Sequence, residues 1–257
     1  MKILKSTSLE HAADMAIQEI SSEYKRICLT GGRFGEIFSK RLQLNKMDIS
    51  LWEIFLTDER LNCLKQDEIR TMLLPNLERV IGFKADNFNP FEQGHYRDSY
   101  ESLLNKIEGI CFDITFLSLG EDGHLAGQFK DSKLTSDNRF CYTDNATKEP
   151  KQRVSFTVNY LFNSKKVVLA VLGEKKRKAL IDFYEGRGPD HSIVYENLKY
   201  EQFRWDDVNL NYYVNDAGEL VVRINATKDQ GTVTYPETLE EGSAQPKEFT
   251  FDRDVYS

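Results

Sequence analysis

In the stretch FDITFLSLGEDGHLAGQF, residues 112–129, an apolar run gives way to two acids and a histidine. His124 stands two residues after Asp122 and is one of four histidines in the chain. An imidazole titrates near neutrality and can take a proton from water or from a carbon acid. The same spacing also suits a histidine that caps a helix or satisfies a loop carbonyl. A second cluster, Asp58, Glu59 and Arg60, ends the run ISLWEIFLTDER. An acid beside an arginine can orient a histidine or contact a polyhydroxy compound, and it can equally be a surface ion pair worth little. A third, Gly31-Gly32, falls between an apolar run and a helical pattern, where backbone N–H groups at a helix start favour an anion such as phosphate. Arg33 adds a guanidinium able to grip a phosphate with two hydrogen bonds, or is a solvated loop residue. Arg153, opening RVSFTV, and Lys176, in GEKKRKAL, are further cations that serve either an anion or a solvated face.

The elements that must position these groups repeat one grammar. Leu9, Ala12, Ala13, Ala16, Ile17 and Ile20 share a helical face over residues 8–23. RICLTGG then reads as a buried strand entering a glycine turn, and EIFSKRLQ returns to helical spacing. ISLWEIFLTDER is a strand with a polar end, followed by a helical segment near IRTMLLPNLERV. YRDSYESLLNKIEGI is a helix leading into FDITFLSLGEDGH, and SFTVNYLFNSKKVVLAVLG supplies a further strand before the helix EKKRKALIDFYEG. The fold class predicted is α/β, a mainly parallel, Rossmann-like sheet with helices on both faces. Ligands of such sheets bind outside the carboxyl ends of the strands, which is where each polar cluster lies. The pattern changes near residue 190, so the chain divides into an α/β domain over 1–190 and a β-containing segment over 191–257. That segment carries a hairpin signal, Asn-Asp-Ala-Gly, between NYYV and ELVVRI.

The chain has 257 residues, 40% hydrophobic and 29% charged, with a net charge of -7. Acids outnumber bases 41 to 34, which excludes a general nucleic-acid binder and requires any anion to be held locally. No run approaches the roughly 20 apolar residues of a membrane span, and the start is too short in apolar residues for a secretory signal. A cytoplasmic protein is expected. Cys28, Cys63, Cys111 and Cys141 have no CxxC spacing and read as reduced, mostly packed thiols. No metal-ligand cluster is visible.

Taken in order, SLEHAADMAIQEI, LTGG, LTDER, YESLLNKIEGICFDITFLSLGEDGHLAGQF and RVSFTVNYLFNSKKVVLAVLGEKKRKAL resemble the 6-phosphogluconolactonase and glucosamine-6-phosphate isomerase/deaminase family. The resemblance covers most of residues 8–183 and leans toward the lactonase branch. The deaminase branch carries a glutamate five residues beyond the motif histidine, and Phe129 stands there. The resemblance implies hydrolysis of 6-phosphoglucono-δ-lactone in the pentose phosphate pathway, with no cofactor and no metal. It makes His124 the general base, with Asp58 and Arg60 shaping the sugar and carbonyl side. Gly31, Gly32, Arg33, Asp122, Gly123, Arg153 and Lys176 would then bind the substrate. The glycine turn reads GGRFG where the family usually has GGSTP. Alternatives are an amino-sugar-phosphate isomerase or deaminase, and a sugar-phosphate binding or regulatory protein of weak activity. The expected partner is a small sugar phosphate, not nucleic acid or membrane, and residues 191–257 could mediate a homo-oligomer.

Overall fold

The computed structural model describes residue 6, residues 8–129 and 131–184, and, as backbone alone, five strands within residues 204–252. The chain divides into two compact units, Ile3–Lys176 and the part from Arg177 onward.

In the first unit, helix α1 (Leu9–Gln18) starts where Ser8 accepts a hydrogen bond from the His11 N–H at 3.1 Å, and it buries Ala13, Ala16 and Ile17. Strand β1 (Arg26–Leu29) runs into helix α2 (Gly32–Leu44). Strands β2 (Glu53–Leu56) and β3 (Asp58–Arg60) precede helix α3 (Ile69–Leu77). The short strand β4 (Phe88–Asn89), helix α4 (Tyr96–Ile107) and strand β5 (Ile114–Ser118) follow. Next come strands β6 (Lys133–Leu134), β7 (Phe140–Thr143) and β8 (Arg153–Phe156), helix α5 (Val158–Phe162) and strand β9 (Lys166–Ala170).

The central sheet has the order β4-β2-β1-β5-β9, and all of its pairings are parallel. Alternation along its strands divides two cores. Ile27, Leu29, Ile54, Leu56, Ile114 and Phe116 point to one face, where they pack in one cluster with buried residues of α1, α2 and α3. Phe38 of α2 lies 4.5 Å from Phe116, ring centre to ring centre. The opposite face carries Phe55, which meets Phe112 at 5.2 Å. Phe112 in turn meets Phe156 at 5.3 Å and Tyr160 of α5 at 5.7 Å, and Tyr100 of α4 stacks on Phe140 at 5.2 Å. The parallel sheet with helices on both faces is as expected. The second face also holds a four-stranded antiparallel sheet, β3-β8-β7-β6, that the sequence reading lacked.

Two runs read as single strands are each divided. ISLWEIFLTDER breaks at Thr57, whose N–H donates to Leu29 O at 2.9 Å within the parallel sheet while its carbonyl accepts from Phe156 N at 3.0 Å. That residue passes the chain from one sheet to the other, so Asp58–Arg60 pairs with β8 and not with β1. SFTVNYLFNSKKVVLAVLG is likewise not one strand. Thr157 caps α5 by accepting from Tyr160 N at 3.2 Å, so β8 and β9 belong to different sheets. A continuous apolar run carries no period that separates these cases.

The second unit contains helix α6 (Arg177–Tyr184) and strands β10 (Arg204–Trp205), β11 (Val208–Val214), β12 (Leu220–Ala226), β13 (Gln230–Pro236) and β14 (Pro246–Asp252). Strands β11 and β12 pair antiparallel from Val214↔Leu220, as the hairpin signal predicts; its turn residues lie outside the described residues. Among the described residues, no helix is long and apolar enough to cross a membrane. All four cysteines are free: Cys28 and Cys141 are buried, but Cys111 is exposed.

Candidate active site

A cleft of about 410 Å³ opens at the carboxyl ends of the parallel strands. Its floor comes from the turns after β1, β5 and β9, and β3 and β8 supply one wall. His124, Asp58, Arg60, Gly31, Gly32, Arg33, Arg153 and Lys176 all line it. Asp122 and Gly123, expected to touch substrate, are placed differently. Both belong to the loop that holds the histidine and stand outside the lining.

That loop is a tight hairpin off the tip of β5. Gly120 N donates to His124 O at 2.8 Å, Gly123 N donates to Gly120 O at 3.2 Å, and Gly123 has φ 86°, a left-handed conformation that favours glycine. A Cβ on Gly120 would sit 2.2 Å from His124 Nδ1, so the ring packs directly over this glycine. His124 Nδ1–H donates to the Asp122 carboxylate, which also accepts from the Thr147 hydroxyl. With Nδ1 holding the proton, Nε2 is left as the acceptor of the ring. Burial alone would raise the Asp122 pKa, but the hydrogen bonds from His124 and Thr147 outweigh it and hold the carboxyl well below the usual carboxylate range. Phe129 stacks on the imidazole at 4.3 Å and 19°.

On the wall, β3 and β8 set Arg60 opposite Arg153 and Asp58 opposite Ser155. Like charges directly opposite on a strand pair repel. Arg153 is only 6% exposed, and its guanidinium donates to the carbonyls of Gln152 and Lys148 at the long distances of 3.5 and 3.4 Å. Burial depresses its pKa, which nearby Asp58 partly offsets. Arg60 donates to Asp67 O at 2.9 Å. Asp58 is as buried as Arg153; it accepts from Thr57 Oγ1 at 2.6 Å, and burial pushes its carboxyl up against the pull of Thr57 and of the cationic neighbours.

The glycine turn begins α2 with no side-chain cap on Gly31, so the first backbone N–H groups of the helix are available at the cleft. Gly32 has φ 65°, and a Cβ on Gly35 would lie 2.0 Å from Thr30 O. The last glycine of GGRFG is thus demanded by the close approach of α2 to the end of β1. Lys176 Nζ donates to Ser118 Oγ at 3.1 Å; burial lowers its pKa and Glu121 works the other way. Arg33 makes no ion pair among the described residues and borders the same cleft.

The sequence model of the glucosamine-6-phosphate isomerases/6-phosphogluconolactonase family matches residues 4–194. The chain belongs to this family. A 6-phosphogluconolactonase of Borreliella burgdorferi is 30% identical over 173 residues, covering 63% of this chain and 73% of its own. A glucosamine-6-phosphate deaminase of Staphylococcus saprophyticus is 28% identical over 181 residues, 59% of this chain and 71% of that one. The fold is shared with the solved 6-phosphogluconolactonase of Trypanosoma brucei, at TM-score 0.60 and 18% identity over 73% of this chain and 89% of that one.

This member of the family has residues in and behind the cleft that sequence reasoning missed. Thr147 buttresses Asp122, and Lys148 pairs with Glu121 at 3.2 Å beside the histidine loop. Both come from the irregular loop between β7 and β8, which has no periodicity to reveal it. Ser118, the last residue of β5, was readable only as the end of a buried run. Glu59, the middle residue of Asp-Glu-Arg, is fully buried and holds backbone, not ligand.

Proposed function

We propose that this protein hydrolyses 6-phosphoglucono-δ-lactone to 6-phosphogluconate. The observation that carries the reading is the setting of His124. Asp122 ties up its Nδ1, Phe129 stacks on one face of the ring where the deaminase branch carries its glutamate, and Nε2 is left to act as the base. Opening a lactone requires one base, positioning and stabilisation of an oxyanion. Ring opening and deamination of an amino sugar require further proton transfers, for which a phenylalanine at position 129 offers nothing. The names of the relatives at 29–30% identity support the same choice.

In this mechanism Nε2 takes a proton from water as the water oxygen bonds to the lactone carbonyl carbon. Negative charge gathers on the carbonyl oxygen, on the side shaped by Asp58 and Arg60. Collapse then breaks the bond to the ring oxygen, which receives the proton from His124 and leaves as the sugar hydroxyl; the second water hydrogen ends on the new carboxyl group and ionises. The 6-phosphate lies against the N–H groups at Gly31-Gly32, with Arg33, Arg153 and Lys176 supplying charge. Residues 1–190 form the working domain in this reading, and residues 191–257 are an appended segment that can pair with a second copy. The setting is cytoplasmic.

The test is hydrolysis of freshly made lactone, coupled to 6-phosphogluconate dehydrogenase and corrected for spontaneous opening. Clear acceleration is expected, with a loss of about 10²- to 10⁴-fold in His124→Ala. Near-wild-type turnover in that variant overturns the reading, and ammonia release from glucosamine 6-phosphate would move it to the deaminase branch.

A further inference from the structure

Glu59 is a carboxylate with 0% exposure, and the mechanism above does not use it. One oxygen, Oε1, accepts from Arg60 N at 2.7 Å and from Ile69 N at 2.6 Å; the other, Oε2, accepts from Arg70 N at 2.9 Å. Ile69 and Arg70 open α3, so their N–H groups are among those a helix leaves unsatisfied. Glu68, at the cap position, makes no side-chain cap; its carboxylate goes to Arg70 Nε at 2.8 Å and Thr71 Oγ1 at 3.0 Å. Glu59 caps the helix from another element, ten residues back along the chain.

What it caps matters to the cleft. Ile69 lines the cleft, and a Cβ on Gly31 would meet three Ile69 carbons at 2.7–2.8 Å. The start of α3 therefore sets where the Gly31-Gly32 turn can lie. On the strand side, Glu59 holds the N–H of Arg60, whose guanidinium also reaches back to Asp67 O just before α3. The buried carboxylate thus stands between two parts of the cleft that are distant in sequence.

We propose that Glu59 is a positioning residue that locks the Asp58–Arg60 strand end to the glycine turn through the first turn of α3, so that the two sides of the cleft keep one fixed spacing. Burial pushes the Glu59 carboxyl up to about 7 against the pull of these N–H groups, so at pH 8 it is ionised and satisfies all three donors. The isosteric amide cannot, because its NH₂ must face at least one of them. Only the kinetic consequence rests on the lactonase reading.

The experiment compares wild type with Glu59→Gln at pH 8, first by amide hydrogen exchange without ligand. Exchange about tenfold faster is expected in peptides covering residues 29–38 and 57–61 as well as in the first turn of α3. Acceleration confined to residues 65–72 overturns the proposal, because a plain helix cap would loosen only the helix. The second readout is lactone hydrolysis: KM rises about tenfold as the phosphate side loosens, and kcat falls as well because the Asp58–Arg60 side meets the charge on the carbonyl oxygen. An unchanged KM also overturns it. Should Glu59→Gln fail to fold, Glu59→Asp keeps the charge but withdraws the oxygens by one methylene, and the same outcomes apply. A wild type without lactone turnover overturns the proposed reaction, and the exchange result then decides the role of Glu59 by itself.

Discussion

Replacing Asp122 by asparagine isolates the part of the site that makes His124 a base. The wild-type carboxylate accepts from His124 Nδ1 and from Thr147 Oγ1, so one substitution changes both the charge and the hydrogen-bond polarity behind the ring. Two effects follow. The imidazolium formed during proton transfer loses a charge-assisted hydrogen bond worth about 1.5–3 kcal/mol, which is about 10- to 150-fold in rate. If the asparagine turns its NH₂ toward Nδ1, that nitrogen becomes the acceptor, the proton moves to Nε2, and the base is lost to the cleft. The analogous tautomer reversal in a serine protease triad costs about 10⁴-fold. The expected loss in kcat is therefore about 10²- to 10⁴-fold, with KM within about threefold because the phosphate-side groups are untouched. Stability falls by no more than about 1–2 kcal/mol, since the polar atoms remain paired. The assay is the coupled lactone hydrolysis, with melting curves recorded on the same samples. A folded Asp122→Asn with kcat within fivefold of wild type would refute the claim that the carboxylate sets the tautomer.

Two more expectations follow from local geometry. Gly120→Ala places a Cβ where the structure has His124 Nδ1 at 2.2 Å and Asp122 Oδ1 at 2.7 Å; the loop must shift, so hydrolysis should fall by about 10²-fold while circular dichroism is preserved, and retained activity would show that the ring is not held where the structure puts it. Asp113, just before β5, accepts from Lys25 N and Arg26 N at 2.8 and 2.9 Å and pairs with Lys165 at 2.7 Å. Burial alone would raise its pKa, but these partners lower it below the usual value. The stability it confers is present above about pH 4 and is lost as pH falls through the depressed folded value. Asp113→Asn should cost about 2–3 kcal/mol at pH 7 and flatten the fall in melting temperature below pH 4; an unchanged acid limb would sink the assignment.

Much of the site was legible in the linear chain because its parts are local. Gly-Glu-Asp-Gly-His folds on itself, with Gly120 bonded to His124, so the motif contains its own geometry. The glycine turn between β1 and α2 is equally local, and the alternation of strands with helices was enough to send both clusters to the same end of a parallel sheet.

Tertiary structure decided the rest. No periodic signal marks Thr57 as the residue where the chain leaves one sheet for another, because its N–H and its carbonyl are claimed by partners far apart in sequence. That handover sets Arg60 against Arg153, and it buries Glu59 under α3. Thr147 and Lys148 reach the histidine loop only because β7 and β8 pair across an irregular connection. Sequence alone determines groups whose partners lie within a few residues, where backbone geometry leaves few choices. Groups whose partners come from another sheet depend on which strands pair, and that is settled by the packing of the whole unit.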